Sequence, residues 1–297
     1  MLMNYFPNCN KRMLLGVSGV SPSTFYDKRK KLDHKKRPGP KPKCSDKEVL
    51  EALRDYLKDP VFYLEGYKKL HKRLVKLGIT VAKERLRRIM SEAELLCHQN
   101  ARGHVKTSPH DGSITTDRPN ELWGMDIKEF KTSVGKIYFM GVIDHFNSEI
   151  KGWYVSDKHT HVEVMQALRN AVQNEFGKID KQVCKDAQLS MRVDHGSEFD
   201  SKAFSRELLF LGIRKSSAFI RSPECNGIIE RFHRTLKEQL VDIYSINNLE
   251  SAKQKIEDFI NRYNEHWFLH RLGLDSPIEY RQNYLVSGNT EPKGVRH

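Results

Sequence analysis

From Leu122 onward the chain carries short runs rich in β-branched and aromatic residues, at 122–130, 137–143 and 150–155, spaced closely enough to be consecutive strands. A helical period replaces them over 161–176, where Val164, Leu168, Ala171 and Val172 mark one face. A fourth strand-like run at 189–193 follows, then a helix at 204–211, a short strand at 213–218, and helices at 223–241 and 249–266. Three consecutive strands can pair antiparallel, whereas strands reached across helices need crossovers. The expected product is a mixed α/β sheet covered by helices.

A net charge of +13 and a pI near 9.4 point to a polyanionic partner, nucleic acid before an acidic membrane surface. A basic surface that only aids solubility is the alternative. Cys9, Cys44, Cys97, Cys184 and Cys225 are odd in number and form no C-x-x-C pair, so they read as reduced thiols rather than a disulfide frame or zinc site. No apolar run is long enough to span a membrane, and the first residues lack the order of a signal peptide, so a cytoplasmic protein is expected.

The charge is concentrated before the strands. Nine Lys/Arg lie between Lys28 and Lys43 against one acid, Asp33, and the run ends in Arg37-Pro-Gly-Pro-Lys-Pro-Lys43, which the prolines keep from being helical. Residues 1–36 have helix-turn-helix punctuation, with a glycine turn and Ser21 or Ser23 as N-cap. Residues 37–44 read as a basic linker able to follow a phosphate backbone through Arg37, or as a solvated spacer.

Residues 45–97 read as a helical module. Its middle helix sets Leu70, Leu74 and Leu77 against Lys68, Lys69, Lys72, Arg73 and Lys76. Its third helix sets Leu86, Ile89 and Met90 against Lys83, Arg85, Arg87 and Arg88. The module is either a second DNA-binding helix-turn-helix or a bundle whose charges face water. A linker at 98–117, a catalytic core at 118–285 and a tail at 286–297 complete the division.

Three acids stand out within the core. Asp126 lies inside the first strand, where aspartate is disfavoured unless paired or metal-bound. Asp194 ends the fourth strand, at a sheet rim where chemistry is common. Glu230 sits on an amphipathic helix beside Arg234 and Lys237, at i, i+4 and i+7, while Ile229, Phe232, Leu236 and Leu240 form the apolar stripe. Each alone has an ordinary reading as a turn or capping aspartate, or as an exposed Glu–Arg pair.

Thirty-five residues separate Asp194 from Glu230. That interval resembles the two-aspartate, one-glutamate signature of retroviral integrases and bacterial insertion-sequence transposases. Arg118-Pro-Asn-Glu-Leu-Trp-Gly-Met-Asp126, Val142-Ile-Asp-His-Phe146, Asp194-His-Gly-Ser-Glu-Phe199 and Asn226-Gly-Ile-Ile-Glu-Arg-Phe-His-Arg-Thr-Leu-Lys237 resemble the bacterial branch, whose catalytic subunit comes from the second of two overlapping reading frames. Tyr263-Asn264, Leu272-Gly273 and Ser276-Pro277-Ile-Glu279 extend the likeness.

The resemblance implies a ribonuclease-H-like mixed sheet flanked by helices and preceded by all-α helix-turn-helix modules. It implies that Asp126, Asp194 and Glu230 hold two Mg²⁺ or Mn²⁺ ions for cleavage and strand transfer of double-stranded DNA by a nucleoid-associated homo-multimer, with an upstream-frame DNA-binding subunit as a further partner. Lys237 and Arg234 would hold the element's end. His195 stands where relatives often carry arginine or asparagine, and Lys128 where threonine is frequent; both become candidate DNA contacts, as do Lys83, Arg87 and Arg88. Asp144 is the main competing acid and is read as structural. The alternatives are a metal-dependent nuclease and a catalytically silent DNA-binding descendant.

Overall fold

The computed structural model describes residues 42–96, 116–133, 135–194, 196–217 and 227–288, with 16, 19 and 21 as isolated positions. Nearly all of the 1–36 segment, most of the 37–44 and 98–117 linkers and most of the tail lie outside the described residues, as do Arg37 and His195. The chain divides into two compact units, Met1–Glu48 and Val49–His297.

The sheet contains β1 (Leu122–Thr132), β2 (Gly135–Asp144), β3 (Ile150–Ser156), β4 (Ser190–Val193) and β5 (Arg214–Ser217), in the order β3-β2-β1-β4-β5. The first three pair antiparallel, and β4 lies parallel to both β1 and β5. Hairpin-connected strands followed by crossover strands give the mixed sheet that the sequence order implied, in the ribonuclease-H-like form that the resemblance implied.

Period-two alternation sends the side chains of β1 and β2 to two cores. Trp123, Met125, Met140 and Val142 pack with Leu168 and Val172 of α4 (His161–Phe176) and with Phe204 and Leu208 of α5 (Lys202–Leu211). Phe130, Phe139 and Ile143 pack on the other face with Ile229 and Phe232 of α6 (Gly227–Leu236) and with Ile256 and Phe259 of α7 (Leu249–His266). A π-helical turn, Lys237–Val241, continues α6.

Local chemistry sets the ends of α4. Thr160 and Glu163 form a capping box, and Gly177 closes the helix in the left-handed region. The helix then lies so close to β3 that a Cβ on Gly152 would meet the Ala171 backbone nitrogen at 2.3 Å. A last helix, α8 (Pro277–Val286), starts from Ser276 with its own capping box to Glu279.

Upstream, α1 (Asp46–Lys58), α2 (Tyr67–Lys76) and α3 (Lys83–Glu92) bury Val49, Leu53, Leu70, Leu74, Leu86, Ile89 and Met90. The loop before α2 inserts into the apolar core on the α6 side of the sheet. Phe62 is 3% exposed and belongs to the same apolar cluster as Phe232 and Phe259. Next to it, the Gln239 side chain accepts from Tyr63 N at 2.9 Å and donates to Tyr63 O at 2.7 Å, matching the backbone as a neighbouring strand would.

Four of the five cations of the α2 stripe are engaged within the chain. Arg73 grips Glu65 through two 3.0 Å bonds and donates to His266 O. Lys72 pairs with Asp275 at 2.6 Å, Lys76 pairs with Glu279, and Lys69 Nζ lies 3.2 Å from the Trp267 ring centre. Burial against that ring lowers the Lys69 pKa to about 7. Most of this face is therefore turned to the loop before α2 and to residues 266–279, not to solvent as periodicity alone suggests.

Candidate active site

The register between β1 and β4 brings two of the three acids together. Met125 pairs with Val193, so the next positions, Asp126 and Asp194, fall side by side at the end of the parallel pair. Register partners in parallel strands share a face, and here it is the face covered by α6. Asp126 is partly buried, and its Oδ1 accepts from Ile127 N at 2.8 Å. Asp194 is exposed at the sheet rim.

Glu230 lies in the first turn of α6 and is exposed, while its neighbours Ile229 and Phe232 are buried beneath it. One turn later, His233 Nδ1 approaches Asp126 Oδ2 to 3.4 Å. The helix carrying the third acid is thereby seated against the strand carrying the first. Among the described residues no three His, Cys, Asp or Glu side chains are already gathered tightly enough to hold a metal. Three carboxylates without a cation repel one another, so an assembled set is not expected from the chain alone. Their chemistry nevertheless suits a hard divalent ion: all donors are carboxylate oxygens, and Asp194 and Glu230 are open to solvent.

The integrase core domain family matches residues 116–223 and again 211–267, together half of the chain and including all three acids. The chain belongs to the integrase core family. Its relatives by sequence put it in the bacterial insertion-sequence branch. A transposase for insertion sequence element IS629 of Shigella sonnei is 24% identical over 282 residues, covering 92% of each chain. A 31 kDa protein of insertion element IS600, also from Shigella sonnei, is 26% identical over 284 residues, covering 90% of this chain and 97% of its own. A simian T-cell lymphotropic virus intasome, solved with a PP2A regulatory subunit, aligns over 82% of this chain and 77% of its own with a TM-score of 0.47 and 17% identity.

Around the three acids the remaining candidates divide. Lys128 is exposed two residues beyond Asp126, on the same face of β1. Arg234 is exposed one turn beyond Glu230. Lys237 opens the π turn, and its ammonium lies 2.7 and 2.8 Å from the two oxygens of Asp242. On α3, Lys83 is exposed, Arg87 lies 3.7 Å from Glu84 and Arg88 lies 3.2 Å from Glu92. Such exposed pairs exchange readily with water or phosphate.

Asp144 has a different setting. It is fully buried at the end of β2, where its carboxylate accepts from Asn120 N and Phe146 N, both at 2.8 Å. Burial raises its pKa to about 6 against the pull of Lys151 and those two bonds. Its geometry is that of a turn organiser.

Two groups of the core carry little sequence signal. His233 is a lone histidine among apolar helix positions, which by pattern is a core residue. The Lys151–Glu149–Glu175–Arg281 network ties α8 to the sheet edge, with Lys151 2.7 Å from both acids and Arg281 3.0 Å from Glu175. Its members lie up to 132 residues apart. No local pattern could have paired them.

Proposed function

We propose that this chain is a transposase of an insertion element, a polynucleotidyl transferase that cuts the element's ends in double-stranded DNA and joins them to a target. The observation carrying this reading is the placement of Asp126 and Asp194 on adjacent strands beneath the helix that carries Glu230, inside an integrase core domain.

In the reading we favour, the three carboxylates hold two Mg²⁺ or Mn²⁺ ions, which when bound activate the attacking oxygen and stabilise the leaving oxygen of an in-line phosphoryl transfer. The chain's own part is to present carboxylate oxygens from β1, from the end of β4 and from α6, which bound cations would draw together. Lys128 and Arg234 border the acids and would contact the phosphates of the element's end. Lys237 would join them by exchanging Asp242 for phosphate, and His195 and Arg37 remain candidates of the same kind. Lys83, Arg87 and Arg88 make α3 the helix that would enter a groove, as the second helix of a helix-turn-helix does. Action within a homo-multimer, an upstream-frame DNA-binding subunit and residence on the nucleoid belong to the same proposal. Among the described residues no helix is long and apolar enough to cross a membrane.

Incubating labelled element ends and target DNA with Mg²⁺ tests the reading, with Glu230→Gln as the comparison. Wild type should nick and join, and the variant should do neither. Equal activity from the variant would remove Glu230 from the reaction. Cleavage without any joining would identify a nuclease instead.

A further inference from the structure

The acids come from three elements, β1 and the end of β4 in the sheet and α6 above it, so something must set the helix against the sheet. One side chain bridges the gap. His233 lies three residues after Glu230, on the same side of α6. It is 3% exposed, and its Nδ1 lies 3.4 Å from Asp126 Oδ2. The other oxygen, Oδ1, accepts from Ile127 N, so both oxygens of the carboxylate have a fixed neighbour.

The imidazole is itself held in place. Phe139 meets it edge-on, with ring centres 5.8 Å apart and an interplanar angle of 85°. Phe139 can lie there because residue 141 is glycine: a Cβ on Gly141 would come within 2.5 Å of Phe139 Cε1. Gly141 is also the cross-strand partner of Asp126. A chain of contacts therefore runs from Gly141 through Phe139 and His233 back to Asp126. His233 Nε2 is buried with no hydrogen-bond partner, which an apolar residue of similar size would avoid. Packing alone does not account for a histidine here, whereas the contact from Nδ1 to Asp126 does.

We infer that His233 is a positioning residue of the metal site: its Nδ1 orients the Asp126 carboxylate and sets α6, and with it Glu230, at a fixed offset from β1. This rests on the reading of Asp126 and Glu230 as metal ligands. Partners that orient ligating carboxylates tune metal affinity without touching the ion.

The test compares two amides in the full chain, with bound Mn²⁺ measured from the free-ion paramagnetic resonance signal. In His233→Asn the amide nitrogen takes the place of Nδ1, whereas in His233→Gln it takes the place of Nε2 and leaves the Asp126 contact unmade. His233→Gln should weaken Mn²⁺ binding about 10- to 100-fold, and His233→Asn should stay within about threefold of wild type. The Mn²⁺ concentration giving half-maximal strand transfer should move in parallel. If circular dichroism shows His233→Gln unfolded, His233→Leu replaces it with the same expectation. Unchanged Mn²⁺ binding in the folded variant lacking the contact, or an equal loss in His233→Asn, overturns the inference. Asp126→Asn in the same titration separates the two claims. If it binds Mn²⁺ like wild type, the three-acid reading falls; if it loses Mn²⁺ while His233→Gln does not, only the role of His233 falls.

Discussion

Truncating Phe62 to alanine tests whether the helical segment is an integral part of the catalytic unit. The ring is 3% exposed and stands edge-on to Phe259 at 6.2 Å and to Trp267 at 4.7 Å, both on the catalytic side. Removing a ring this enclosed should cost about 3–5 kcal/mol, because neighbours on two helices can only partly close the hole. For a unit of this size each kcal/mol corresponds to roughly 2–4 °C, so the melting temperature should fall by about 6–20 °C. Urea unfolding followed by tryptophan fluorescence is the direct assay, since Trp123 lies in the sheet core and Trp267 beside Phe62. The whole transition should shift to lower urea as one step. If the midpoint moves by less than about 1 kcal/mol, or if a separate early transition appears while the core midpoint stays put, Phe62 is not a shared core residue and the docking argument is refuted. Phe62→Leu, which keeps most of the apolar contact, should cost about 1 kcal/mol.

Three further outcomes follow from the charges. Burial works to raise the Glu175 pKa, but its bonds to Arg281, Lys151 and Asn120 outweigh that and hold it at about 2. Its stabilisation, about 3 kcal/mol, is present above pH 4.5 and lost as pH falls toward 2. The stability difference between wild type and Glu175→Gln should therefore shrink over that window, and a constant difference in urea titrations would contradict the ion network. Asp144 has the opposite sign: with its folded pKa raised to about 6 by burial, the fold gains about 3 kcal/mol as pH drops from 6 toward 4. Asp144→Asn should erase that gain while leaving Mn²⁺ binding unchanged; weakened Mn²⁺ binding would make Asp144 part of the metal site. In DNA-binding titrations, Arg88→Ala should reduce the salt slope by about 0.9, whereas Lys72→Ala should leave it alone because its ammonium is committed to Asp275. Equal slope changes in the two variants would show that the α2 stripe also meets DNA.

What was legible in the sequence had local causes. The third strand, expected at 150–155, runs 150–156, because its apolar residues stop where Asp157 begins a turn. The helix expected at 161–176 has those limits, set by Thr160, Glu163 and Gly177. Of the helix expected at 223–241, the described part is α6 from Gly227 followed by a π turn. Residues 218–226 lie outside the described set, and a change from α to π pitch leaves the spacing of apolar residues nearly untouched. Helix α8 was not read as an element, since its buried residues Pro277, Tyr280 and Tyr284 carry weak apolar signal. The spacing of the acids singles them out as candidates, and the β1–β4 register sets Asp126 beside Asp194. The side chain tying Asp126 to α6 was not legible, because the contact depends on a helix and a strand about a hundred residues apart meeting in space.

The basic stripe of α2 shows how far charge counting reaches. Five cations along one helix face read equally well as a DNA surface or as a solvated one, and net charge favoured the first. Both readings assume that the opposite face is the one that packs. In the structure both faces pack: Leu70 and Leu74 are buried on one side, while Lys69, Arg73, Lys72 and Lys76 meet Trp267, Glu65, Asp275 and Glu279 on the other. The acids that receive them sit in the loop before α2 and in the segment that starts α8, so the stripe and its partners form one internal surface. A positive charge count limits what a chain can bind. Where it binds depends on which cations the fold has already paired, and that takes α2 out of the expected DNA surface of this unit and leaves the α3 candidates Lys83, Arg87 and Arg88.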